Sequence, residues 1–251
     1  MMLKDLPIGT IVTDKRTKFN GKPIEWIVAD HEKYQDGTVL LSKDIICCKP
    51  FDAPKELSDK EYKEYSICWE NSSIRNWLKT DFFFKSFSIQ FRCMSIPVEI
   101  SECDRNDLTR KIKDNVFLLS VSEIGDYDYY KTLQLFKDID RNKYTISEVC
   151  LGLKWSWWLR SPSLIPSPLG NSHYICSVND HGLLYGTNAH YGSMGIRPAC
   201  VIADCAPIKE KKNGDYRFDW SSFKLNWNRQ FTLYLNKNKN RLDFFRIKDI
   251  I

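Results

Sequence analysis

Runs of β-branched and aromatic residues separated by turn residues fill the first 50 positions: IGTIVTD (8–14), IEWIVAD (24–30) and TVLLSKDIICC (38–48). NGKP precedes the second run and QDG the third, a pattern that predicts strands joined as an antiparallel meander. Residues 51–66 turn polar and predict a surface loop or one short helix. The hydrophobic period then changes. In ENSSIRNWLKTDFF (70–83), Ile74, Trp77, Leu78 and Phe82 stand at i, i+3, i+4 and i+8. That spacing marks one face of a helix, capped by Asn71 or Ser72, and all four residues are expected in the core. DNVFLLS (114–120) reads as a buried strand. Ser120 and Glu123 then form the S-x-x-E pattern of a capping box, predicting a second helix within 124–150.

WSWWLRSPS (155–163) places three tryptophans and an arginine within six residues. Strand alternation assigns Trp155, Trp157 and Leu159 to one face, and Ser156, Trp158 and Arg160 to the other. Trp157 and Leu159 are expected in the core. Beside Trp158, the Arg160 guanidinium is expected to stack on a ring or pair with a carboxylate. Arg197, in the run GIRPACVIA (195–203), is assigned a similar buried polar niche. Residues 163–173 read as loop, and YICSVN (174–179) and GLLYG (182–186) as short strands between glycine-bearing turns. YRFDW (216–220), QFTLYLN (230–236) and LDFFRI (242–247) predict a further small meander. Trp77, Trp157, Trp158, Arg160 and Arg197 are all given structural roles.

At 43% hydrophobic and 14% aromatic, the 251 residues can bury a substantial core, which excludes a disordered chain. Residues 207–251 carry eleven Lys/Arg against five Asp/Glu, a net +6, whereas the whole chain is +5. The basic character thus belongs to the C-terminal part. The division expected is a body over 1–206 and a basic β-rich extension over 207–251. The extension is either solvated surface or a contact for nucleic acid or an acidic partner. No apolar run reaches bilayer-spanning length, so no membrane partner is expected. MMLKDLPIGTIVTDKR lacks an apolar signal core, which leads to the expectation of a cytoplasmic protein, or one associated with a phage particle. The nine cysteines are odd in number and contain no C-x-x-C pair. They are expected to be reduced thiols, with neither metal nor cofactor.

Residues 171–193, NSHYICSVNDHGLLYGTNAHYGS, hold three of the four histidines among Asn, Tyr, Ser and Gly. Tyrosine offers large contact area at low entropic cost, and Ser, Gly and Asn offer adaptable hydrogen bonds. The ligand-binding residues assigned are His173, Tyr174, Asn179, His181, Tyr185, Asn188, His190 and Tyr191. The histidine and tyrosine side chains among them are expected to be at least partly exposed and clustered on one side. Ile175, Val178 and Leu183 are expected to point inward. No catalytic residue is assigned. Ser161 and Ser163 lack a G-x-S-x-G elbow, phosphate-binding glycine loops are missing, and the three histidines could share a metal only if three loops converged.

Three blocks, CWENSSIRNWLKTDFFFKSFS (68–88), NVFLLSVSEI (115–124) and WSWWLRSP followed by SVNDHG and GIRPACVI (155–202), together resemble a bacterial and phage family of domains, DUF6273. The resemblance covers roughly residues 8–203. The layout from W-W-L-R-S to G-I-R-P-A is also similar to bacterial C-type-lectin-like domains. That group includes formylglycine-generating enzymes and the variable proteins of diversity-generating retroelements. The resemblance implies an α+β fold, an irregular antiparallel sheet with two or more helices and long loops that bind ligand. It implies a non-enzymatic binding domain for a protein or glycan, a retroelement-diversified protein or a phage or mobile-element receptor binder. Two alternatives stand beside it. One is an enzyme related to the formylglycine-generating group, for which Cys176 and Cys200 would be the copper-binding pair although no matching motif surrounds them. The other is a nucleic-acid binder working through the basic extension. Asn179-Asp180 resembles part of the calcium-binding triplet of lectins, but Val178 stands where Trp is required.

Overall fold

Turn chemistry sets the first sheet. Asn20 and Gly21 adopt φ of 47° and 78°, left-handed values that Asn and Gly reach at least cost, and they close a two-residue hairpin. It joins β1 (Ile11–Phe19) to β2 (Lys22–Tyr34), and Gln35-Asp36 joins β2 to β3 (Gly37–Ser42). The expected N-terminal meander is therefore present. Gly37 is also a packing requirement, since a Cβ there would lie 2.5 Å from Val201 and 3.0 Å from Ile96. The computed structural model describes residues 1–54, 67–103, 109–125, 132–137, 155–163 and 173–221.

Three further short strands follow in the first half of the chain: β4 (Cys47–Cys48), β5 (Val98–Cys103) and β6 (Thr109–Asp114), with β7 (Val116–Phe117) directly after. The second half supplies β8 (Trp157–Pro162), β9 (Tyr174–Val178), β10 (Leu184–Asn188), β11 (Gly195–Ile196), β12 (Ala199–Ala203), β13 (Ile208–Glu210) and β14 (Tyr216–Phe218). They form a seven-stranded sheet in the order β13-β14-β1-β2-β3-β12-β7, a five-stranded sheet in the order β10-β9-β8-β11-β4, and the β5–β6 ribbon. With only short helices beside these sheets, the class is α+β. Among the described residues, no helix is long and apolar enough to cross a membrane.

The helical pattern at 70–83 is realised with one change. Helix α1 begins at Ser73–Trp77, capped by Ser72, whose hydroxyl accepts from the Arg75 N–H. It continues through a π-helical turn at Leu78–Phe82 and ends at Phe83–Ser86. The wider turn inserts a residue into the helical period, so Phe82 and Phe83 both face the core. Ile74, Leu78 and Phe82 are buried as expected, but Trp77 is only half-buried. It packs on the rim, edge-on to Phe19 at 6.1 Å, with the Lys49 ammonium 5.0 Å from its ring.

Helix α2 (Ile89–Met94) is capped by Ser88, which also donates to buried Asp14 at 2.7 Å and so ties the helix to β1. Its Phe91 stacks on Trp26 at 5.8 Å and meets Phe218 of β14 at 5.2 Å. The boundary expected at 206 consequently falls inside a sheet. β14 pairs in parallel with β1 through Val12 and Tyr216, and Phe218 and Trp220 are both core residues. Burial of two large rings binds residues 207–221 to the body. QFTLYLN and LDFFRI lie outside the described residues. The expected helix within 124–150 is represented by α3 (Gln134–Lys137), and the rest of that span also lies outside them.

Candidate functional site

The tryptophan block becomes β8, and both of its faces are buried. Trp157, Trp158 and Leu159 are 1%, 0% and 0% exposed. Trp158 meets Phe51 edge-on at 5.8 Å and donates its indole N–H to the Lys49 carbonyl at 2.9 Å. A buried indole usually needs such a partner. Trp155 departs from the expectation that it shares the buried face of Trp157. It precedes the strand, is 55% exposed, and donates its N–H to the Ser193 carbonyl at 2.8 Å.

The two arginines behave differently. Arg160 forms a two-pronged pair with Glu123, Nη1 to Oε2 at 2.6 Å and Nη2 to Oε1 at 3.0 Å, and also donates to the Leu118 carbonyl. Of the two fates expected for this guanidinium, the carboxylate is the closer partner. Glu123 in turn accepts from the Ser120 N–H at 2.8 Å while the Ser120 hydroxyl accepts from the Glu123 N–H at 3.2 Å. The capping box seen in the sequence is thus formed, although the helix it opens is one 3₁₀ turn, Ser122–Ile124. Burial pushes the Glu123 carboxyl up, but the Arg160 guanidinium outweighs it and holds the group below its ordinary value. Burial, with Glu123 adding to it, pushes the nearby Tyr34 hydroxyl strongly up. Arg197 is fully buried, as expected. Its Nε donates to the Ser42 carbonyl at 2.8 Å, its two terminal nitrogens make no hydrogen bond, and the group lies 5.2 Å from the Trp157 ring centre. The ring face offsets part of the charge. These arginines organise the interior.

The exposed chemistry lies at one end of the five-stranded sheet. Trp157 is opposite Val178 on β9 and, in parallel, opposite Gly195 on β11, while Val178 is opposite Leu184 on β10. Register therefore brings the residues before β8, the turn at 179–183 and Ser193 to the same end. Trp155, Leu183, Tyr185 and Tyr191 belong to this end or to the loop leading to it, and are 55%, 60%, 63% and 57% exposed. They are half of the eight exposed large hydrophobic residues among the described residues. His181 is exposed beside them.

The sequence-assigned residues separate into three groups. His181 and Tyr185 belong to this exposed end, and Tyr191 is exposed on the loop after β10, its N–H bonded to the Asn188 carbonyl at 3.0 Å. Asn179 is there too, but its side-chain oxygen is occupied by the His181 and Leu183 N–H groups at 3.0 and 2.9 Å, so it builds the turn. That turn also explains why Leu183, expected to point inward, is exposed. It precedes the β10 ladder, and Leu184 takes the place opposite Val178. Tyr174 and Asn188 pair with each other at the far end of the hairpin, on the sheet face opposite Tyr185. The Asn188 oxygen accepts from the His190 N–H at 2.9 Å. His173, expected to be exposed, is 2% exposed. Its ring packs against His190 at 5.7 Å, and His190 Nδ1–H donates to the Asp52 carbonyl at 2.8 Å. Segment 49–53 has been drawn over this end of the hairpin, because the Asp52 N–H also bonds the Ala189 carbonyl. Ile175 and Val178 point inward as expected. The residue that sequence reasoning missed is Trp155. Its only signal was that it stands outside the strand's apolar run, preceding a polar Ser156.

The candidate copper pair is distributed over two sheets, Cys176 on β9 and Cys200 on β12. Burial pushes the Cys200 thiol well up, away from the thiolate that binds metal or attacks substrate. Burial likewise pushes Cys47 up to about 11. Cys48 and Cys205 are the exposed thiols among the described residues. Titrating native protein with a colour-forming disulfide reagent is expected to modify these two without denaturant, and Cys200 only after denaturant is added. Fast modification of Cys200 in native protein would contradict its burial. Among the described residues, no group of three His, Cys, Asp or Glu side chains has metal-holding geometry.

A family model described as a domain of unknown function (DUF6273) matches residues 36–204. The match starts after β2, later than the resemblance at roughly 8–203, and ends before β13. No curated protein and no solved structure matches the chain.

Proposed function

The chain belongs to the DUF6273 family, whose model spans more than half of it, and on that premise we propose a non-enzymatic module that recognises a protein or glycan at the exposed end of the five-stranded sheet. The observation that carries the reading is the exposure of Trp155, Leu183 and Tyr185 at one end of the β8–β9–β10 array, whose β8 and β9 residues Trp157 and Val178 are buried. Contiguous exposed apolar surface with a polar rim marks interaction sites. Aromatic rings with polar tips suit both protein hot spots and stacking on sugar rings. The C-type-lectin-like architecture and the retroelement or phage setting belong to the same reading. Their support is the W-W-L-R-S to G-I-R-P-A layout. The enzyme alternative gains nothing from the two cysteines, which stand on different sheets with Cys200 held as a buried thiol.

The test compares wild-type protein with Trp155→Ala/Tyr185→Ala on a glycan array and against the surface proteins of host bacteria. Exposed substitutions usually stay within about 0.5 kcal/mol of wild-type stability, so the melting temperature should be almost unchanged. Loss of hot-spot rings should weaken binding by about 2 kcal/mol, roughly 30-fold. Full retention of every wild-type ligand by the folded double variant would overturn this assignment of the surface.

A further inference from the structure

Among the described residues, the two large sheets end on four edge strands, β13 and β7 in one, β10 and β4 in the other. An open edge offers unpaired main-chain groups to another chain, and proteins usually blunt it with charge, brevity or a cover. Three of the four are blunted in this way. β7 and β4 are two residues long. β13 carries exposed Lys209 and Glu210, and its Ile208 N–H donates to the Met1 carbonyl at 3.0 Å. β10 has none of these protections. It is five residues long, LYGTN, without charge or proline, and it pairs with β9 at every position without a bulge.

The ladder fixes which main-chain groups β10 turns outward. At one end the Asn179 N–H donates to the Leu183 carbonyl at 2.8 Å, and at the other the Ala189 N–H donates to the His173 carbonyl at 2.8 Å. Odd-numbered residues of this strand therefore bond β9. Antiparallel alternation then points the N–H and C=O groups of Leu184, Gly186 and Asn188 away from β9. Among the described residues, the Asn188 carbonyl alone of these groups has a partner, the Tyr191 N–H at 3.0 Å, and a carbonyl oxygen can accept a second bond. Neither β9 nor β10 contains Lys, Arg, Asp, Glu or His. On β8 the charged residue is Arg160, buried against Glu123. Asp180 and His181 stand in the turn before β10, and His190 after it.

We propose that β10 pairs with β10 of a second copy of the chain, antiparallel about a two-fold axis at Gly186, joining two five-stranded sheets into one of ten strands. The three outward residues are symmetric about Gly186. That register sets Gly186 opposite its own copy and Leu184 opposite Asn188, and each such pair exchanges two main-chain bonds. It also sets Tyr185, which is 63% exposed, opposite Thr187, an aromatic and β-branched pair of the kind that stabilises antiparallel strands. Like charges directly opposite would oppose such pairing, and β10 carries none. A strand from an unrelated chain would use the same main-chain groups, but the neutral pattern symmetric about Gly186 favours a second copy. The pairing goes beyond the proposed ligand surface, shares only Tyr185 with it, and needs no ligand to form.

Sedimentation equilibrium of the full chain tests it, from about 1 to about 200 μM, because an interface of one strand pair belongs to the small, weak class. The mass is expected to rise from 29.5 kDa towards twice that value. Amide hydrogen exchange of the same wild-type protein should slow at the Leu184, Gly186 and Asn188 N–H groups at the high concentration relative to the low one. Tyr185→Lys/Thr187→Lys and Tyr185→Glu/Thr187→Glu each place like charges opposite one another. Each should weaken self-association at least tenfold with a melting temperature close to wild type, and an equimolar mixture of the two should dimerise again. Wild type that stays monomeric throughout overturns the proposal and leaves the edge to a strand from a different chain. The proposal also fails if a dimer forms while those three amides exchange equally fast at both concentrations, or if the mixture of folded variants stays monomeric.

Discussion

Trp157→Ala is expected to destabilise the protein by about 3–5 kcal/mol, the range for removing a fully buried large aromatic ring. Trp157 is 1% exposed, at the point where β8 pairs with both β9 and β11. The deletion does more than leave a cavity. It removes the ring beside Arg197, whose terminal nitrogens make no hydrogen bond and whose charge is fully buried. An uncompensated buried charge adds to the cost. For a chain of this size, about 2–4 °C accompany each kcal/mol, so thermal denaturation should show a fall on the order of 10 °C. Trp155→Ala is the control. The same residue type two positions earlier is 55% exposed, and its loss should cost under about 1 kcal/mol. Equal melting temperatures for the two variants would refute the assignment of one ring to the core and the other to the surface.

Arg160→Ala and Glu123→Ala are each expected to cost about 3–5 kcal/mol, because each breaks a buried ion pair by removing one partner. Their side chains are 6% and 4% exposed, and the pair connects β8 to the segment following β7. Replacing both at once, with Arg160→Met and Glu123→Leu, should cost much less than the sum. Two matched apolar groups need no partner, and the desolvation of the ion pair disappears with it. Urea denaturation of the four proteins measures this, and additive losses would contradict the pairing. The pair also sets a pH dependence. The Glu123 carboxyl is held below its ordinary value of 4.5 when folded. The folded state thus binds that proton less readily than the unfolded state. Its contribution is complete above the ordinary value and is lost as pH falls below about 4.5, through the lower folded value. Glu123→Gln should flatten that acid limb of the stability curve, leaving the neutral and basic regions parallel to wild type.

Local pattern made much of the scaffold legible. The meander of β1 to β3 follows from alternating β-branched runs punctuated by Asn20-Gly21 and Gln35-Asp36, where backbone conformation depends on one or two residues. The Ser72 cap and the reciprocal Ser120–Glu123 bonds were likewise readable, since each is made within three or four positions. Core membership of Trp157, Trp158, Leu159 and Arg197 was anticipated because a dense apolar block has few other places to go.

The candidate surface was legible in part. His181 and Tyr185 were assigned to a site and are at the exposed end, and Tyr191, also assigned, is exposed on the loop after β10. His173 is buried and Trp155 exposed, the reverse of the expectation. Both errors have the same source. Composition says which residues suit a surface, but exposure depends on what packs over each one. His173 packs against His190, whose ring is bonded to the Asp52 carbonyl, while only the polar Ser156 separates Trp155 from the strand's apolar run. Trp77 shows a related effect within one helix, where a π turn shifts the period and sends Phe83 inward while Trp77 stays on the rim.

By itself, the sequence determined family membership, the α+β class, the existence of most strands, and the local caps and turns. These rest on contacts between near neighbours or on blocks of residues whose order alone is distinctive. Only the tertiary structure decided that β13 and β14 complete the N-terminal sheet, that Arg160 reaches Glu123 across 37 residues, and that exposed Trp155, Leu183 and Tyr185 stand at one sheet end. Each of these depends on the alignment of segments far apart in the chain. Such pairing is selected by the summed burial of whole faces, and no short stretch of residues records it.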